Sequence, residues 1–213
     1  LHYPLRRQRQ MCIRDSPEEG ISKKISETVD ASIINAGDGS HEHPTQALLD
    51  AFTLREKFGS FDEKKILITG DIMHSRVALS NIFIYKKLGA KVKVCGPKSL
   101  IPKYINELGI DYEPNFDKGL IWCDVASMLR IQNERMKDSY FPSTREYAQQ
   151  YGLDLNRLNS IKKEIVITHP GPINRGVELN SDVIDSGKTV ILDQVENGVA
   201  VRMAVMYLLA SKL

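Results

Sequence analysis

The chain has 213 residues, 42% of them hydrophobic and 26% charged, with a formal net charge of +2. That length allows one large domain, or one domain plus part of another, and so small a net charge gives no global attraction to nucleic acid or to an anionic membrane. Three scattered cysteines, Cys12, Cys95 and Cys123, suit a reducing compartment better than a disulfide framework or a metal centre.

Residues 1–16 are rich in Arg and Gln, show no period, and read as a non-native leader rather than a binding arm. They have no apolar core of signal-peptide length. The most apolar run, Val199 to Ala210, carries Arg202 and falls short of a membrane span. The cytoplasm is the expected location.

From Pro17 the pattern becomes regular. Residues 18–29 predict a helix with Ile21, Ile25 and Val29 on one face, and Ala31–Ile34 a short strand. Pro44 suits the first turn of a second helix, in which Leu48, Phe52 and Arg55 share a stripe and Gly59 is the stop. An α/β rhythm follows. Strands are expected at Lys65–Thr69, Lys91–Cys95, Ile110–Glu113, within Trp122–Leu129, and at Ile165–Thr168. Helices are expected at Ser75–Leu88 (Val77, Ile84, Tyr85 and Leu88 inward), Ile101–Leu108, and near 143–150 and 155–161. The last helix, Asp193 to Lys212, has Val199, Met203, Met206 and Ala210 on one face, a pattern that predicts core packing.

Alternating strands and helices predict an α/β fold with a doubly wound, mainly parallel sheet. Ligands of such sheets lie beyond the carboxyl ends of the strands, so the loops at 70–76, 95–98, 129–135 and 168–176 should line one edge.

Polar residues with chemical potential gather at these places. In Asn35–Asp50 (NAGDGSHEHPTQALLD) two histidines precede a helix N-terminus, where free N–H groups and the dipole favour an anion. The His41-Glu42-His43 spacing occurs in metal hydrolases. With no third ligand nearby, one solvent-facing and one hydrogen-bonded histidine is the better reading, and no metal is expected. After the Lys65–Thr69 strand, Asp71 to Arg76 opens a helix without the glycine pattern of a dinucleotide site. Arg76 is a cation at the positive end of that helix. A carboxylate ligand would explain it, and so would a salt bridge to Asp71. Arg130 and Gln132 lie on one side of a strand end by period two and could clamp a carboxylate, or simply be solvated there. His169-Pro170-Gly171-Pro172 makes a stiff loop whose carbonyls no helix consumes. No nucleophile elbow or Ser-His-acid order is visible. The chemistry inferred is direct transfer between two bound substrates.

Five segments, NAGDGSHEHPTQALLD, GDIMHSRVALSN, MLRIQNERM, HPGPINRGVEL and DQVENGVAVRMAVMYLL, resemble the catalytic chains of aspartate carbamoyltransferases in order and spacing, from about Pro17 to the C-terminus. Thr45 in place of the HPCQ cysteine, and HPGP in place of HCLP, distinguish the chain from ornithine carbamoyltransferases. The resemblance implies transfer of the carbamoyl group of carbamoyl phosphate to the amine of L-aspartate, a step of pyrimidine synthesis, with no cofactor. It implies that His43 polarises the carbamoyl oxygen and that Gln46 accepts from the carbamoyl amide. Arg76, Arg130 and Gln132 would hold the aspartate carboxylates, and carbonyls at Gly171 and Pro172 would steer the amine.

The implied domains are a carbamoyl-phosphate-domain tail at 17–46, an aspartate-binding domain at 47–192, and a final helix at 193–213 packing back toward the first domain. The implied partners are a homotrimer and a possible regulatory chain. The family's Ser-Thr-Arg-Thr phosphate loop is absent, and Met73 and Leu79 replace a frequent lysine and arginine. The chain alone is therefore expected to be an inactive fragment with exposed apolar surface on 17–34 and on the last helix.

Overall fold

A computed structural model describes residues 19–131 and 143–210. The leader at 1–16 and the expected site residue Gln132 lie outside the described residues. Within them, five strands form one sheet: β1 (Lys65–Thr69), β2 (Lys91–Cys95), β3 (Asp111–Tyr112), β4 (Val125–Met128) and β5 (Val166–Thr168). Their order is β3-β2-β1-β4-β5 and every neighbouring pair is parallel. Eight α-helices accompany the strands among the described residues: α1 (Ile21–Ser26), α2 (Pro44–Phe58), α3 (Arg76–Lys87), α4 (Phe116–Trp122), α5 (Thr144–Tyr151), α6 (Leu155–Asn159), α7 (Ser181–Ile184) and α8 (Ile191–Ala210).

Parallel strands buried on both faces need continuous apolar runs, and KILIT in β1 is such a run. Its alternate residues divide between two cores. Ile66 and Ile68 join Leu54 of α2 and Ile82 and Tyr85 of α3, whereas Leu67 joins Phe116, Leu120, Tyr147 and Ile167 on the opposite face. The expected doubly wound sheet is therefore present. On the second face α4 lies so close that a Cβ on Gly119 would stand 2.7 Å from the Leu67 side chain.

The strand order fixes where a ligand can sit. From β1 the chain moves outward through β2 and β3, then returns to place β4 on the other side of β1. The crevice between the carboxyl ends of β1 and β4 is a topological switch point. The loops leading to Arg76 and Arg130 leave from those two strand ends.

Several expectations are corrected. Ala31–Ile34 forms no strand, and the first helix is confined to Ile21–Ser26. Ile101–Leu108 is not one helix: Pro102 separates two short 3-10 turns, Lys98–Leu100 and Ile105–Leu108. Helix α4 was missed because only seven residues, with a central Gly119, carry its pattern. Leu88 is exposed, and Ile82 takes the inward place beside Tyr85. Helix α2 turns the other way round: it buries Gln46, Asp50 and Thr53 and leaves Leu48 and Phe52 exposed.

The expected core packing of the Met-rich face of α8 is likewise not seen. Val199, Met203 and Met206 are all more than half exposed, at 59%, 61% and 54%. Leu192 and Tyr207 extend the same apolar surface at 83% and 75% exposure, and Ile25, Val29 and Ile34 are exposed near the N-terminal end. Apolar area on this scale marks a surface that associates. The isolated chain is therefore expected to bind a hydrophobic dye and to elute as a mixture of assemblies in size-exclusion chromatography. A monodisperse monomer that binds no dye would contradict this. No helix among the described residues is long and apolar enough to cross a membrane.

Candidate functional site

The segment 35–43 is folded onto the start of α3. Asn35 turns the chain by accepting from Gly37 N–H at 2.8 Å, and Asp38 accepts from Gly20 and Glu42 N–H, each at 3.0 Å. Gly37, at φ 126°, allows the Arg76 guanidinium against the backbone: a Cβ there would stand 2.6 Å from one terminal nitrogen. A few residues on, His43 N–H donates to Ser80 Oγ at 2.9 Å, one turn beyond Arg76 on α3. Two sequence-distant elements thus bring His43 and Arg76 to one place.

His43 is the N-cap of α2 and is 7% exposed. Its side chain does not cap the helix. The Thr45 hydroxyl lies 3.4 Å from Nδ1. His41 is exposed and lies 3.8 Å from Asp38, so the reading of one solvent-facing and one hydrogen-bonded histidine holds. Ser75 caps α3 by accepting from Ala78 N–H, and Arg76, at N1, is 9% exposed. Asp71 holds His74, whose Nδ1 is 3.0 Å from both carboxylate oxygens. Burial, only partly opposed by the bonds from His74, pushes the Asp71 carboxyl above its ordinary range. Met73 and Leu79 line one small pocket together with Ser40, Ser75 and Tyr104.

Beyond β4, Leu129 N–H continues the ladder to Thr69 O, and half-buried Arg130 follows at the strand end. The next carbonyl, Ile131 O, accepts from Asn174 Nδ2 at 3.0 Å, which ties this loop to the one after β5. That loop is organised by His169, itself 1% exposed. Its Nδ1 accepts from Gly171 N–H at 2.9 Å, so the ring proton is on Nε2, 3.3 Å from Glu178 Oε1. Gly171 has φ 67°, a left-handed conformation that suits glycine. Gly171 and Pro172 are exposed residues of this loop, beyond the carboxyl end of β5.

Sequence reading missed Asp50, which is 1% exposed on the inward face of α2. Gln46 Nε2 and Gln194 Nε2 donate to Oδ1 at 2.9 and 2.7 Å, and Asn81 Nδ2 donates to Oδ2 at 2.9 Å. Burial pushes its carboxyl up to about 6, against the three amide donors and the charge of Arg202. Its i, i+4 relation to Gln46 was available as a signal. Nothing in one sequence says that this face of the helix turns inward. The two described cysteines, Cys95 and Cys123, are buried, and burial raises both thiols to about 12, leaving them protonated at neutral pH.

Residues 62–209 match the family model described as aspartate/ornithine carbamoyltransferase, Asp/Orn binding domain, and residues 7–56 the one described as the carbamoyl-P binding domain. The chain is 68% identical over 203 residues to the aspartate carbamoyltransferase catalytic subunit of Flavobacterium psychrophilum, covering 95% of this chain and 66% of that one. It is 53% identical over 194 residues to the subunit of the same name from Carboxydothermus hydrogenoformans, covering 91% of this chain and 62% of the relative. Among solved structures, aspartate transcarbamoylase from Trypanosoma cruzi in complex with carbamoyl phosphate is similar at a TM-score of 0.79 and 25% identity, over 91% of this chain and 64% of that one. Ornithine carbamoyltransferase from Pyrococcus furiosus is similar at 0.78 and 25% identity, over 94% and 66%. The chain thus spans no more than 66% of these proteins' length. With a doubly wound sheet, a polar cluster at its switch point and family models matched across most of its length, the chain belongs to the aspartate/ornithine carbamoyltransferase family.

Proposed function

We propose that this chain is the acceptor-binding part, with the adjoining edge of the donor-binding part, of an enzyme that moves the carbamoyl group of carbamoyl phosphate to the amine of L-aspartate. The observation that carries the reading is the meeting of segment 35–46 with the start of α3 at the switch point, through the Gly37–Arg76 approach and the His43–Ser80 bond. The polarising imidazole of His43 and the amide of Gln46 sit on the carbamoyl side. Arg76 and Arg130 face the acceptor from the ends of the two central strands, and Gln132, outside the described residues, is assigned with them by the resemblance of its motif alone. Two arginines suit a dicarboxylate acceptor better than ornithine, whose side chain ends in a second amine. The carbonyls of Gly171 and Pro172 accept from the attacking amine, which must be neutral to react.

Bond formation is direct. The amine lone pair attacks the carbamoyl carbon, the C–O bond to phosphate breaks, and phosphate leaves with the electron pair. The amine proton is lost to solvent or to the departing phosphate. His43 stabilises negative charge on the carbonyl oxygen as the tetrahedral centre forms. The two substrate sites are held side by side, so positioning contributes much of the remaining rate. The phosphate-binding residues belong to the family's Ser-Thr-Arg-Thr loop, which this sequence does not contain. The full-length enzyme is read as a trimer acting in pyrimidine synthesis.

The test is transfer from labelled carbamoyl phosphate to aspartate and, separately, to ornithine. It uses the 213-residue chain and an extended enzyme in which a relative supplies the remaining third. The extended enzyme should make carbamoyl-aspartate, and the chain alone almost none. A preference for ornithine would refute the acceptor assignment, and robust product from the chain alone would refute its incompleteness.

A further inference from the structure

The bonds around Asp50 do not end there. Gln194, on α8, donates through Nε2 to Asp50 Oδ1 at 2.7 Å, and its Oε1 accepts from His169 N–H at 3.0 Å. His169 in turn orders Gly171 through Nδ1 and reaches Glu178 through Nε2. Glu178 accepts from Asn174 N–H at 2.8 Å, and Asn174 holds Ile131 O. Asp50, Gln194, His169 and Glu178 are all at most 3% exposed. A continuous relay, buried from Gln46 to Glu178 and half-buried at Asn174, therefore runs from α2, through α8, to the loops after β5 and β4. The members come from 46 to 194 in the sequence, so no local fold requirement accounts for the connection.

We propose that Asp50 and Gln194 are positioning residues of the carbamoyl-transfer site: they lock the Gln46 amide to the backbone of the 169–172 loop, so that the carbamoyl-holding and amine-steering groups keep one fixed separation. The inference rests on the carbamoyl-transfer reading for its purpose, and on the hydrogen bonds alone for its existence. A fixed separation matters because transfer between two bound substrates depends on reacting atoms held about 3–3.5 Å apart. A single carboxylate receiving amides from three different helices, α2, α3 and α8, is a rigid junction. Both oxygens of the buried Asp50 carboxylate are paired by these donors, and a buried acceptor so held favours one geometry. The nearby groups that carry or can carry charge are Arg202 of α8 and Tyr85 of α3.

Amide hydrogen exchange at His169 in the 213-residue chain reads the relay without any need for activity. In Gln194→Leu the His169 N–H loses its acceptor, and its exchange should quicken at least about tenfold. In Asp50→Ala it should also quicken, although Asp50 does not touch His169, while the amides of β1 and β2 keep their rates. Asp50→Asn should restore the native rate. Its amide can still accept from Gln46 and Gln194, and its NH2 can donate to the Asn81 oxygen, which has no hydrogen-bond partner among the described residues, once that amide turns. In the extended enzyme, Asp50→Ala and Gln194→Leu should lower kcat more than tenfold with smaller changes in KM, and Asp50→Asn should keep most of kcat. Unchanged His169 exchange in Asp50→Ala and Gln194→Leu overturns the relay. Quickened exchange with kcat unchanged overturns the positioning role. An extended enzyme that transfers no carbamoyl group fails the functional reading instead, and the exchange result still decides the relay.

Discussion

Replacing His43 with alanine in the extended enzyme is expected to lower kcat for carbamoyl-aspartate formation by about 10²–10³-fold, the usual cost of removing one donor to a developing oxyanion. KM for either substrate should change only severalfold, because in the proposed role the imidazole acts on charge that grows in the transition state. The structure allows this loss to be separated from misfolding. The N-cap side chain makes no capping bond, and the bond that holds His43 to α3 is donated by its backbone N–H to Ser80, which alanine retains. Truncating a side chain that is 7% exposed should still cost about 0.5–3 kcal/mol of stability, which an unfolding curve separates from the loss of kcat. His43→Gln, which keeps a donor at similar reach, should recover part of the rate. A His43→Ala enzyme with kcat within threefold of the parent would remove His43 from the chemistry.

The parts of the molecule written in apolar runs were legible in the sequence. KILIT became the central strand because such a run can be buried on both faces of a parallel sheet, and KVKVC its neighbour, with Val92 and Val94 buried and Lys91 exposed. The loop positions of Arg76 and Arg130 followed from the strand ends. The failures have a common physical source. The sequence shows which residues are apolar, but not which apolar faces this length of chain can cover. Leu48 and Phe52 look like the inward stripe of α2, yet Gln46, Asp50 and Thr53 are buried instead, and the polar atoms of Asp50 and Thr53 find partners on α3 and α8. The same applies to Val199, Met203 and Met206, which face outward from α8. His169 was read only as the start of a stiff loop. Its role in fixing that loop depends on Gln194 and Glu178, and their approach is tertiary.

Asp50 also predicts a pH dependence whose sign is opposite to that of most paired carboxylates. Burial raises its carboxyl from 3.8 to about 6 in the folded chain, and the three amide donors and Arg202 only partly counter this. Between these two values the native state binds more protons at Asp50 than the unfolded state does, so stability falls as pH rises. The contribution is fully present below about 3.8, fades through the interval and is gone above about 6. The gap is worth about 3 kcal/mol at roughly 1.4 kcal/mol per pKa unit. Asp50→Asn cannot titrate there, so the difference in unfolding free energy between the parent and this variant should move by about 3 kcal/mol against the parent from pH 3.5 to pH 7. Urea unfolding followed by the fluorescence of Trp122, the single tryptophan, measures both proteins across that range. Other shifted carboxylates, such as the raised Asp71 and the lowered Asp124, are common to both proteins and cancel in the difference. Parallel curves for the two proteins would mean that the Asp50 carboxylate is no harder to ionise in the fold than outside it. A difference of the stated size and sign shows that the fold keeps a costly buried charge at neutral pH, at the junction that joins Gln46 to the 169–172 loop.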